Sequence, residues 1–146
     1  MGRNPNLRPV NPDALRTCAV SAIRPQLGPE TLVRRYTVFV PVEQIKPGES
    51  PRKIATANDL EHLELMFMRH FGGVTLSAIT PSLIGAGARD PRRPVQTREI
   101  NKHAFFVVYA AAVRASDEYF LALKKELANA LVEGVILVER QDVTIL

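Results

Sequence analysis

Ala104-Phe105-Phe106-Val107-Val108-Tyr109-Ala110-Ala111-Ala112-Val113 is apolar at nearly every position. A run of this kind, rich in aromatic and β-branched residues, reads as a central strand buried on both faces. Alternation places Ala104, Phe106, Val108, Ala110 and Ala112 on one side. Phe105, Val107, Tyr109, Ala111 and Val113 fall on the other. Both sets are apolar, so this strand belongs in the middle of a sheet.

Downstream, Ser116 reads as the cap of a helix with Asp117 and Glu118 in its first turn. Phe120, Leu123, Leu127 and Leu131 recur at helical spacing, and Gly134 stands just past the end. Leu121, Ala128 and Val132 form a second, minor apolar row on the same helix. A last strand opens at Val135 to Val138 and resumes at Val143 to Leu146, interrupted by Glu139, Arg140, Gln141 and Asp142. Charges on an edge strand guard against edge-to-edge pairing.

Upstream, Leu32 to Val42 is rich in β-branched and aromatic residues and reads as a strand that Pro41 helps to end. Residues 46–56 form a loop. Asn58 then caps a helix, with Glu61 completing a capping box and Asp59 suiting the positive helix end. Leu60, Leu63, Phe67 and Phe71 make its stripe, and Gly72-Gly73 stops it. Val74 to Thr80 alternates as a half-exposed strand. Residues 1–30 hold five of the eleven prolines and read as an arm, in which Asn11 and Pro12 start a short helix carrying Leu15, Cys18, Ala19, Ala22 and Ile23.

The order β-α-β-β-α-β over residues 31–146 is that of an α+β ferredoxin-like plait, with an antiparallel four-stranded sheet and two helices on one face. Such a layer leaves its other face bare. Here that face is greasy, which predicts a covering: a second copy of the chain (most simply a dimer), the amino-terminal arm, or a ligand.

With 146 residues, 46% hydrophobic content and a net charge of +4, the chain has the make-up of one globular domain. The single cysteine, Cys18, excludes an internal disulfide and a cysteine-based zinc site. His62 and His70 do not converge on one helix face, so no metal site is expected. No run reaches the ~18 apolar residues of a membrane helix. The first residues have no apolar leader, and the chain reads as cytoplasmic.

Pro81 to Lys102 carries five cationic side chains against two carboxylates, most of the chain's net charge. It reads as a long structureless connection, and such connections are usually functional or disordered. Gly85 and Gly87 with Arg89 resemble an anion cradle, without the lysine-serine ending of a P-loop. Arg89, Arg92, Arg93 and Arg98 are the candidates for an anionic small molecule or an acidic protein partner. Arg114 and Glu139 are a candidate ligand-orienting pair. Nothing in the pattern names a cofactor or a reaction. The candidates for acid–base chemistry are His103 at the entry to the central strand, Glu99 before it and Tyr109 along it. Lys102, Phe106, Val107 and Tyr109 fit the longer RNA-recognition signature, but His103, Ala104 and Phe105 break it, and the apolar strand disfavours nucleic acid.

Phe71-Gly72-Gly73-Val74-Thr75, a glycine-bearing loop with Glu99 before the next strand, and Val135-Ile136-Leu137-Val138-Glu139-Arg140 together resemble small uncharacterised prokaryotic proteins of the α/β-plait type. The resemblance covers roughly residues 31–146 and implies the fold. Members often carry a tryptophan in the long loop, and this chain has none. More distantly, the layout resembles nitrogen-regulatory PII signalling proteins, which imply a partner-binding loop between the second and third strands. It is also similar to dimeric α+β barrel enzymes, of isomerase or oxygenase type. The leading expectation is a non-enzymatic, oligomeric effector- or partner-binding module acting through residues 81–102. The alternatives are the barrel enzyme and, third, an RNA-binding plait.

Overall fold

The computed structural model describes residues 20–46, 48–76, 84–88, 98–131 and 136–146, with the backbone alone at 20–21, 84–88 and 98–101. The chain is α+β. In order come α1 (Val20–Ile23), β1 (Leu32–Ile45), β2 (Arg52–Lys53), α2 (Ala57–Phe71), β3 (Thr75–Leu76), β4 (Ile84–Ala88), β5 (Arg98–Ala111), α3 (Arg114–Leu131) and β6 (Leu137–Thr144).

Two 14-residue strands, β1 and β5, pair antiparallel along nearly their whole length and form the spine of the sheet. On the outer side of β1, β6 pairs with its first half and β2 with its second. On the outer side of β5, β3 pairs at Val107 and Phe106, and β4 pairs along Lys102 to Arg98. Every pairing is antiparallel.

The core lies between one face of this sheet and the two long helices. Tyr36, Val38 and Val40 from β1 and Ala104, Phe106, Val108 and Ala110 from β5 are buried there. The expected stripes meet them: Leu60, Leu63, Phe67 and Phe71 of α2, and Phe120, Leu123, Leu127 and Leu131 of α3. Ile23, from the stretch read as an arm, is fully buried in the same cluster. Phe67 is at the centre, with ring centroids 5.4 Å from Phe106 and 6.2 Å from Phe120.

Several boundaries differ from the reading of the sequence. Thr56, not Asn58, caps α2: its hydroxyl accepts the Asp59 N–H, and the Asp59 carboxylate accepts the Thr56 N–H at 2.8 Å, so the box closes on Asp59 rather than Glu61. Pro41 does not end β1. The strand carries on to Ile45 through a bulge, where the register shifts between Pro41 and Glu43. A bulge is a place where a residue with no N–H to donate does no harm to a ladder. The helix after β5 begins at Arg114, so Ser116 is not its cap. Ser116 is buried in the first turn, and its hydroxyl donates to the Ala111 carbonyl at 2.7 Å.

The described parts of residues 81–102 are not structureless. Ile84–Ala88 and the first five residues of β5 form a ladder, with Gly85 opposite Asn101, Gly87 opposite Glu99 and Ala88 opposite Arg98. β6 is likewise continuous through Glu139 to Asp142. Nor is β5 equally buried on both faces: Ala104, Phe106, Val108 and Ala110 are enclosed, while Phe105, Val107, Tyr109 and Ala111 are half-buried. The expected helix at residues 11–19, Arg89, Arg92 and Arg93, and Gly134 lie outside the described residues.

Gly72 ends α2 at φ 85°, with its N–H donating to the Met68 carbonyl at 2.9 Å. A Cβ there would touch nothing within 4 Å, so only backbone conformation opposes a side chain. Gly72→Ala is expected to cost about 1–2 kcal/mol in urea denaturation. Gly73→Ala, at ordinary φ and equally unhindered, should cost less than half as much.

Candidate binding face

The strand register assembles the face of the sheet away from the helices row by row. Gln141, Arg35 and Tyr109 make one row across β6, β1 and β5; Glu139, Thr37 and Val107 make the next; Leu137, Phe39 and Phe105 the third. Pro41 and His103 follow. The outcome is a face of two halves. Tyr109, Val107, Phe105, Phe39 and Leu137 form an apolar diagonal, and Arg35, Thr37, Glu139 and Gln141 form a polar corner beside it.

Phe39 anchors the diagonal, with its ring centroid 6.1 Å from Phe105 and 6.5 Å, edge-on, from His103. Half of Leu137 (50%) is exposed to water. In the polar corner the Arg35 guanidinium donates to the Gln141 side-chain carbonyl. Arg35, Thr37, Glu139, Arg140 and Gln141 line a shallow depression of about 410 Å³. At the opposite margin a groove of about 330 Å³ runs past Leu27, Gly73, Thr75, Val107 and Tyr109.

The acid–base candidates do not converge. His103 and Tyr109 share this face but are six residues apart along one extended strand, roughly 20 Å. Glu99 is four residues before His103 on the same strand, roughly 13 Å away. Arg114 and Glu139 are not brought together either. Arg114 ion-pairs with Glu118 one turn along α3 at 3.3 Å, on the helix side, whereas Glu139 stands beside Thr37 on the open face. Gly85 and Gly87 lie in an extended ladder. A backbone nest for an anion needs a turn conformation instead. Arg98 is placed at the far end of that ladder, opposite Ala88.

A polar cluster that the sequence reading passed over stands on the helix side. The Tyr36 hydroxyl donates to Asp117 Oδ1 at 2.5 Å. Asp117 Oδ2 takes Arg140 Nη1 at 2.5 Å and Arg34 Nη1 at 3.3 Å. Arg34 also donates to the Val113 carbonyl at 3.0 Å, and its Nε lies 3.4 Å from Asp142 Oδ1. Burial pushes the Tyr36 phenol well above its ordinary pKa, and its bond to the Asp117 carboxylate pushes it further. Burial works against Asp117, but the Tyr36 hydroxyl and the two arginines outweigh it and hold that carboxyl below its usual range. The signal for this cluster was the parity of Arg34: it shares a strand face with Tyr36 and Val38, so a charge is aimed at the core side.

A second pairing fastens the bulged end of β1. Glu43 bridges Lys53 at 2.9 Å and Lys102 at 3.5 Å, and the Lys53 hydrogen bond above all keeps its carboxyl low. Among the described residues no cluster of His, Cys, Asp and Glu could hold a metal ion. No helix of the described residues is long and apolar enough to cross a membrane.

The chain matches no protein-family model, no curated protein and no solved structure.

Proposed function

We propose that this chain is a self-associating binding module built on a ferredoxin-like βαββαβ plait, not a catalyst. The plait reading is supported by the order β6–β1–β5–β3 with α2 and α3 on one face, β2 and β4 being additions to it. Two copies mate through the open face of the sheet. The arginines of residues 81–102, Arg89, Arg92, Arg93 and Arg98, then serve an anionic ligand or an acidic protein surface.

The observation that carries self-association is the division of the open face. A two-fold interface must be complementary to itself. A diagonal of Phe39, Phe105, Val107, Tyr109 and Leu137 can meet its own copy, and a corner holding both Arg35 and Glu139 can exchange opposite charges across the axis. An all-basic or all-acidic corner would repel its copy.

Sedimentation equilibrium of the full chain tests this. A dimer is expected at micromolar concentration. Phe105→Glu places a charge on the diagonal without touching the enclosed core, and is expected to raise the dimer dissociation constant at least about 30-fold. The circular dichroism of that variant should stay unchanged. A wild-type chain that remains monomeric throughout the micromolar range would overturn the proposal.

A further inference from the structure

We infer that the groove between α3 and β6 binds a small organic carboxylate with an apolar body. The groove, about 260 Å³, is on the helix side of the sheet, away from the open face. This inference does not depend on self-association.

The walls are apolar. Leu121 projects from α3 with 64% of its surface exposed, and Val138 of β6, partly buried against the core, lines the same groove. At the base, Phe120 stacks on Tyr36 with ring centroids 3.9 Å apart. Leu121 heads the minor apolar row of α3 and stands outside the packed core, whereas Ala128 of the same row is partly buried against it. An exposed leucine over a stacked aromatic floor is a surface for hydrocarbon.

The rim is cationic. Asp117 is the one carboxylate in the lining, and both its oxygens are already engaged, by Tyr36 on one side and by Arg140 and Arg34 on the other. Lys124, one helical turn beyond Leu121, has no ion partner among the described residues. Two cations against one satisfied carboxylate leave a single positive charge uncompensated, which suits a monoanion. A cationic ligand would meet Lys124 and Arg140 together. Access is open: among the described strands β6 pairs with β1 alone, and most of its residues are exposed. The cavity falls below the usual range of about 300–1,000 Å³ for ligand sites, so the ligand has on the order of ten non-hydrogen atoms.

A ¹⁵N–¹H titration of the full chain tests the inference with octanoate and benzoate, using octanol and acetate as comparators. Shifts are expected to cluster at Leu121, Lys124 and Val138, with roughly millimolar affinity. Octanol, lacking the charge, and acetate, lacking the body, should each bind more than about tenfold more weakly. Lys124→Gln, at an exposed position, should keep the native spectrum and weaken octanoate about two- to fivefold, the scale of one exposed ion pair. Leu121→Asn should weaken octanoate and leave the spectrum native. The inference is overturned by an absence of shifts, by shifts confined to Phe105 and Tyr109 on the open face, or by affinity that Lys124→Gln leaves intact. The dimerisation experiment has a separate readout, so either result can fail alone.

Discussion

Replacing Phe67 by alanine is expected to remove about 3–5 kcal/mol of stability, much of what a domain of this size possesses. The ring is fully enclosed and meets Phe71, Phe106 and Phe120 at centroid separations of 6.4, 5.4 and 6.2 Å. It therefore joins α2 to β5 and to α3 at once. Truncation loses the transfer free energy of the ring and leaves a cavity that three other aromatic side chains cannot collapse to fill. Phe67→Leu keeps much of the volume and should cost less than about 1.5–2 kcal/mol. Leu65→Ala, on the same helix but 53% exposed, should fall within about 0.5 kcal/mol of wild type. Urea titrations of the three variants check the ranking. A Phe67→Ala loss no larger than that of Leu65→Ala would mean that α2 does not pack as described.

The second large effect is expected at Asp117. Asp117→Ala takes the acceptor from the Tyr36 hydroxyl and the counter-charge from Arg34 and Arg140. The carboxylate keeps 30% of its side-chain surface in water, so the cost lies between that of an exposed pair and a buried one, about 2–3 kcal/mol. The cluster also sets the pH dependence. Asp117 titrates lower in the folded chain than in the unfolded one, so its contribution is present above about pH 4 and is lost as pH falls through the folded value. Tyr36 titrates higher when folded, so its contribution is complete below about pH 10 and is lost as pH rises from there. Stability measured from pH 3 to pH 11 should therefore fall at both ends. Asp117→Asn should flatten the acid limb and Tyr36→Phe the alkaline limb. Unchanged limbs in those variants would assign the pH dependence to other groups.

The two variants depend on different kinds of information in the chain. The stripe holding Phe67 was legible because helical spacing writes a packing face into a dozen consecutive residues. Of the cluster at Asp117, the sequence showed a helix-end charge and, in the parity of Arg34, a cation on the core side of β1, but not that the two meet. Its hydrogen bond to Tyr36 joins residues 81 positions apart, and nothing local marks that pairing. The capping of α2 was seen in kind but displaced by two residues, because Thr56, Asn58 and Asp59 are all competent capping residues and only backbone geometry chooses among them.

Pro41 and the Gly85–Ala88 stretch failed for a related reason. Propensity makes proline a strand terminator and Gly-Ala alternation a loop. In the folded chain β5 runs past both, opposite Pro41 at His103 and opposite Ile84–Ala88 at Lys102 to Arg98. A neighbouring strand supplies hydrogen-bond partners whatever the local preference.

Periodicity of apolar residues along Leu60–Phe71 and Phe120–Leu131, with the β-rich runs Leu32–Val42 and Ala104–Val113, was enough to specify two long helices with the stripes they bury and the two spinal strands. It did not specify which face of β5 turns to the helices, since both its alternating sets are apolar. Burial of a face is a short-range property of spacing, and it survives any arrangement of the pieces. Which rows of β6, β1 and β5 stand side by side, which arginine meets Asp117, and which half of the bare face is polar were settled by antiparallel register, a relation between distant segments. One shift of a single residue in that register would have sent Arg35 and Glu139 to the helices and Tyr36 to water.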